Sequence, residues 1–127
     1  MLRVVHFEIH ADDPERAVKF YKNVFKWEFK KWEGPMDYWL IMTGPSGEPG
    51  IDGGLMKRYE KEKGERINSY VCTIDVPDID DFTKKIKDNG GKIVMKKNSI
   101  PKVGWFAYCR DTEGNFFGIM QNNPSAT

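Results

Sequence analysis

His6, Glu8 and His10 stand at every second position of the run Val4-Val5-His6-Phe7-Glu8-Ile9-His10. In an extended strand alternate side chains share a face, so the two imidazoles and the carboxylate point one way while Val5, Phe7 and Ile9 point the other. An imidazole beside a carboxylate is an acid–base pair. His6 can act as general base or ligand, with Glu8 orienting it or serving as the base itself. Against this stands a bland reading, in which the same residues form the polar face of a sheet turned to solvent or to a partner. His10, nearer the strand end, is set apart from the pair.

The elements that must position these residues follow from periodicity. Residues 3–10 alternate as a strand; Asp13 and Pro14 then supply an N-cap and a first-turn proline, and Ala17, Val18, Tyr21, Val24 and Phe25 recur inward at helical spacing to about residue 26. Residues 28–33, 38–43 and 54–58 read as strands, the last two separated by the turn-forming run Gly44-Pro45-Ser46-Gly47-Glu48-Pro49-Gly50. After a mixed-charge connector the pattern restarts. A strand at 70–76 leads to Asp78 as N-cap and to a helix with Ile79, Phe82 and Ile86 inward, stopped by Gly90-Gly91. Strands at 92–97, 103–110 and 115–121 follow, the last two joined by Asp111-Thr112-Glu113-Gly114 as a hairpin turn. Superposing the helix caps places Asp13 on Asp78 and His6 on Val71, as in two copies of one module.

The expectation is therefore an α+β fold in a single domain over residues 1–127, with two tandem βαβββ modules whose curved sheets surround a cleft. Module one takes about residues 3–58, a linker about 59–68, and module two about 69–121. A chain of 127 residues with 39% hydrophobic and 13% aromatic content suits one such domain and argues against disorder. Twenty basic against 19 acidic side chains leave a net charge of +1, which offers no one-signed field to nucleic acid or anionic lipid. Two cysteines without CxxC spacing, and no apolar run long enough for a membrane span, point to a cytoplasmic protein. Phosphate-cradling glycine loops and a GxSxG elbow are absent from the sequence, so neither nucleotide nor serine-hydrolase chemistry is supported.

His6-Phe7-Glu8-Ile9, the run from Asp12-Asp13-Pro14 to Phe20-Tyr21, and Phe25-Lys26-Trp27 resemble the first module of the vicinal oxygen chelate superfamily, which includes glyoxalase I, extradiol dioxygenases and bleomycin and fosfomycin resistance proteins. The second module agrees through Ile74-Asp75-Val76-Pro77-Asp78, Gly90-Gly91-Lys92, Val103-Gly104 and Asp111-Thr112-Glu113-Gly114-Asn115. Overall the chain is most similar to a broad branch of glyoxalase-related proteins. The resemblance implies a cavity face with up to four metal ligands, one on the first and one on the last strand of each module. His6 matches the first of these positions. Val71 holds the equivalent place in module two, Gly53 or Gly54 the last-strand place of module one, and Gly118 that of module two. A catalytic divalent ion normally takes about three protein ligands, and glycine and valine supply none.

The inherited metal site is accordingly expected to be missing, and no cofactor is expected. By strand alternation Phe116 and Met120 share the cavity face of Gly118, and Thr73 shares that of Val71. Val71, Thr73, Phe116, Gly118 and Met120 thus form an apolar ligand-binding wall opposite the candidate catalytic His6 and Glu8, with room left at Gly118. Residues 44–53 and 100–104 are expected at the cavity mouth. The leading function is binding of a small hydrophobic or aromatic molecule, as in the bleomycin-resistance branch, or metal-free acid–base chemistry at His6 and Glu8. The rival is a metal-dependent lyase, isomerase or dioxygenase whose divalent ion is held by His6, Glu8 and displaced donors such as Asp52, Asp75 or Gln121. A third reading is a structural dimerisation module. A homodimer is expected, because aromatics such as Trp32 or Trp39 are costly to leave in water as one patch.

Overall fold

The structure is a computed structural model that describes residues 2–58 and 69–127, so the connector expected at 59–68 lies outside the described residues. Along the chain run β1 (Val4–Ala11), α1 (Pro14–Phe25), β2 (Glu28–Lys31), β3 (Tyr38–Met42), β4 (Gly53–Lys57), β5 (Val71–Asp75), α2 (Ile79–Asp88), β6 (Lys92–Ile100), β7 (Gly104–Arg110) and β8 (Phe116–Asn122). This is the α+β order βαβββ twice over. The residues form two compact units, 6–71 and 72–127, the second including the first residues of the chain. Leu2 N–H donates to the carbonyl of Asp75, and Asp75 N–H donates to that of Arg3. The start of the first expected module is thus held by the second unit.

In the unit of residues 6–71, β2 pairs antiparallel with β3, β3 antiparallel with β4, and β4 parallel with β1. Phe7, Ile9, Ile41 and Leu55 form its core, covered by Ala17, Val18 and Tyr21 of α1 and by Trp27, Phe29 and Trp39. The helix starts where expected. The Asp13 carboxylate accepts from Arg16 N–H at 3.2 Å, and Pro14 fixes the first turn. Val24 and Phe25, expected inward, are instead more than half exposed. Phe25 stacks on the rings of Tyr21 and Trp27 from outside, a contact that leaves its other surface in water.

In the other unit, β6 pairs antiparallel with β7, β7 antiparallel with β8, and β8 parallel with β5. Val76, Ile79, Ala107, Cys109 and Ile119 are its core, with Phe82 and Ile86 of α2 packed against them. Asp78 caps α2 by accepting from Asp80 and Asp81 N–H, and Gln121 Oε1 accepts from Ile79 N–H at 2.9 Å. Gly90, at φ +92°, ends the helix as expected. Strand β6 runs beyond residue 97, because two register shifts absorb its irregular stretch and keep it paired with β7. Residues 101–103 therefore form the turn between β6 and β7. Val103 N–H donates to Ile100, Lys102 N–H to Ala126, and Asn123 N–H to Val103, which pins the turn from both sides. No helix among the described residues is long and apolar enough to cross a membrane.

Candidate functional site

Because Phe7 and Ile9 enter the core beneath α1, alternation along β1 puts His6, Glu8 and His10 on the opposite face of the sheet. The structure joins them through a residue the sequence reading left out. Tyr38, at the start of β3, has its hydroxyl 2.9 Å from His6 Nε2 and 3.2 Å from Glu8 Oε2. Glu8 Oε1 lies 2.9 Å from His10 Nε2. Four polar side chains thus form one line, His6, Tyr38, Glu8 and His10, with Glu8 and His10 buried.

The place of Tyr38 is set by a glycine. Glu8 pairs with Gly54 on β4, Gly54 pairs with Leu40 on β3, and Tyr38 is the next residue on that face of β3. A diagonal neighbour of this kind is within reach of an aromatic ring. A Cβ on Gly54 would collide with the hydroxyl and ring of Tyr38. Gly53, by contrast, faces the core, where a Cβ would lie 2.5 Å from the Phe7 carbonyl. Of the two glycines considered for the last-strand ligand position, Gly54 is therefore the one on the His6 face, and the phenol of Tyr38 fills its side-chain space.

Burial sets the protonation states. Loss of water lowers the affinity of His6 for a proton, against the opposing pull of the Glu8 and Asp52 carboxylates. His6 is thus held toward the neutral imidazole. Burial raises Tyr38 far above the ordinary phenol range, reinforced by the charge of Glu8 and by the hydrogen bond to it, so the phenol keeps its proton. Asp52 is anchored at the base of the 44–52 loop, where its Oδ1 accepts from Thr43 N–H at 2.9 Å while Thr43 Oγ1 donates to the Ile51 carbonyl at 2.8 Å.

The expected ligand wall is divided. Val71 closes the first unit and is fully buried, leaving a ligand nothing to touch. In the second unit Thr73 pairs with Gly118, and Tyr108 pairs with Gly118 from the other side. Since Phe117 and Ile119 belong to the core, Phe116, Gly118 and Met120 do share the opposite face, as alternation requires. The room expected at Gly118 is taken, however. A Cβ there would meet Thr73 Oγ1 at 3.1 Å and the Tyr108 ring at 3.7 Å. Thr73, Phe116 and Met120 keep partial exposure, and the Arg110 guanidinium lies 4.6 Å over the Phe116 ring. Trp32 and Trp39 are half-buried, Trp32 edge-on to Tyr38 and Trp39 beneath Lys31. Phe20, Val24 and Phe25 of α1 are the more exposed apolar groups. An open groove beside α1, lined by Val18, Lys19, Lys22, Asn23 and Trp39, lies on the helix side of the first unit, away from His6.

Among the described residues no three His, Cys, Asp or Glu side chains gather at ligand spacing. His6 Nε2 already meets the Tyr38 hydroxyl. Of the displaced donors, Asp52 holds Thr43 and Gln121 caps α2.

The model of the Glyoxalase/Bleomycin resistance protein/Dioxygenase superfamily matches residues 3–119. A glyoxylase-like domain-containing protein of Didymella fabae is 33% identical over 116 residues, covering 88% of each chain. Among solved structures, the chain resembles methylmalonyl-CoA epimerase from Mycobacterium tuberculosis, with a TM-score of 0.67 at 14% identity over 95% of this chain and 88% of that one. It also resembles a hypothetical protein from Bacillus halodurans C-125, with a TM-score of 0.69 at 14% identity over 98% and 97% of the two chains.

Proposed function

This chain belongs to the Glyoxalase/Bleomycin resistance protein/Dioxygenase superfamily, and within it we propose a metal-independent protein that binds a small hydrophobic or aromatic molecule against the His6 and Glu8 face and exchanges a proton with it. The observation that carries this reading is the Tyr38 hydroxyl, seated between His6 and Glu8 in the space a side chain at Gly54 would need. A neutral phenol there links an imidazole to a carboxylate, which is the equipment for accepting and returning a proton. The protein is proposed to work as a cytoplasmic homodimer, with the exposed Phe20, Val24 and Phe25 as the apolar patch to be covered.

The deciding experiment is elemental analysis of protein purified without added metal, paired with thermal melts in the presence and absence of a chelator. Well under one equivalent of zinc, nickel, iron or manganese is expected, together with identical melts. One equivalent that disappears in His6→Ala would replace this reading with the metal-dependent lyase, isomerase or dioxygenase. A panel of small aromatic and carbonyl compounds, screened by thermal shift, is expected to give hits that Glu8→Leu weakens.

A further inference from the structure

Resting on the reading just given, we infer that Tyr38 makes His6 and Glu8 a single base: a proton taken up at His6 Nδ1 is stored on Glu8, and His6 is neutral before and after. The inference follows from counting donors along the line. A carboxylate can only accept, so at Glu8 the hydroxyl proton of Tyr38 points to Oε2, across 3.2 Å. Having spent its one proton, the Tyr38 oxygen must accept from His6 across 2.9 Å, which places the imidazole proton on Nε2 and leaves the Nδ1 lone pair bare. On the far side, Glu8 Oε1 accepts from His10 Nε2 across 2.9 Å, which fixes the carboxylate end of the line. The only proton-accepting nitrogen of His6 is thus the one turned away from the line.

The line has a second arrangement, with the two bonds between His6, Tyr38 and Glu8 reversed and the one from His10 kept. If Nδ1 takes a proton from a bound molecule, the Nε2–H bond breaks as its proton passes to the Tyr38 oxygen. The Tyr38 O–H proton passes in turn to Glu8 Oε2. The bound molecule's own bond to hydrogen breaks and its electron pair stays there, one N–H bond forms and one breaks, one phenol O–H bond forms and one breaks, and one carboxyl O–H bond forms. The end state holds neutral His6 with its proton on Nδ1, neutral Tyr38 donating to Nε2, and a protonated Glu8 donating to Tyr38. No imidazolium is needed in a site where desolvation opposes it. The phenol also has no route to a lasting phenolate, since burial and the charge of Glu8 both oppose one. Along this line Tyr38 stands between His6 and Glu8 and is therefore a positioning and relay residue, while His6 is the group that meets the bound molecule. Proton return reverses each step, so a bound molecule can be deprotonated and reprotonated at the same atom.

The test uses the fact that the chain has only two histidines. Nitrogen-15 spectra of histidine-labelled, chelator-treated, ligand-free protein report which ring nitrogen of His6 is protonated. Wild type is expected to show the proton on Nε2. Tyr38→Phe, which keeps the ring over Gly54, is expected to lose this preference and give a mixture of tautomers. Glu8→Leu removes the acceptor, so Tyr38 turns its proton to His6 Nε2 and the tautomer is expected to reverse to Nδ1–H. A merely structural tyrosine would leave the tautomer where it was in both variants. An Nδ1–H form in wild type, or an unchanged tautomer in both variants, overturns the inference, and the wild-type spectrum decides even if a variant does not fold. Metal found before chelation overturns the metal-independent reading alone, because the tautomer is read after the metal is gone.

Discussion

The ring of Tyr38 lies across Gly54, so that its hydroxyl stands beside Glu8, the residue paired with Gly54 on β1. The absence of a side chain on one strand thereby becomes the presence of a phenol from the next. Aromatic cover over a strand glycine also restores packing that the glycine forfeits. The relationship is local to one unit and connects the fold to the candidate chemistry directly.

Tyr38 and Gly54 should therefore be energetically coupled. Gly54→Ala forces a methyl group into the phenol, and overpacking of this kind costs about 1–3 kcal/mol. Tyr38→Ala removes the ring and uncovers Glu8, also at a cost. In the double variant the methyl group meets no ring, so its stability loss in urea melts is expected to be smaller than the sum of the two single losses. Simple additivity of the two would mean that the ring does not occupy the glycine's space.

His6 gives stability a definite dependence on pH. Its proton affinity in the folded chain is below the ordinary value of 6.5, so the unfolded chain takes up the proton first as pH falls. The contribution is fully present above pH 6.5 and is lost as pH drops through the lower folded value, at a slope approaching about 1.4 kcal/mol per pH unit for one proton. His6→Gln is expected to flatten this segment of the curve of unfolding free energy against pH. A curve that keeps its slope in the variant would assign the loss to other groups.

Gln121 supplies the next case, because the sequence offers it as a displaced metal donor and the structure gives its Oε1 to Ile79 N–H at the start of α2. A side-chain oxygen that satisfies a first-turn N–H is worth about 0.5–2 kcal/mol. Gln121→Leu is accordingly expected to lower the melting temperature while leaving metal content and ligand hits unaltered. A loss of bound metal in this variant would return Gln121 to the donor set.

What the sequence made legible was whatever depends on local periodicity and caps. Asp13 and Asp78 start the helices, Gly90 ends the second, and the period-two alternation of β1 and β8 sorts His6 and Glu8, or Phe116 and Met120, onto one face. What stayed hidden depends on the strand beside. Tyr38 reaches Glu8 only because β3 and β4 pair in a particular register, and a register is a property of two strands together. Gly118 looked like open room for the same reason, since its occupants, Thr73 and Tyr108, come from β5 on one side and β7 on the other. The extension of β6 to Ile100 needs register shifts that no alternation rule contains.

The two thiols offer a last check, on the second unit. Cys109 is fully buried in the core with Ala107 and Ile119, and removal from water pushes its thiol up to about 11. Since the thiolate is the reactive form, Cys109 is kept unreactive both by access and by proton affinity at mildly alkaline pH. Cys72, on β5, is exposed. A disulfide-exchange reagent at pH 8 is therefore expected to modify one thiol per native chain quickly, and both after denaturation. Cys72→Ser should abolish the fast phase and leave Cys109 reacting only at the rate at which the unit opens. Two fast thiols in the native protein would mean that the core around Ala107, Cys109 and Ile119 is open to reagent, and with it the packing that holds Phe116 and Met120 on the opposite face.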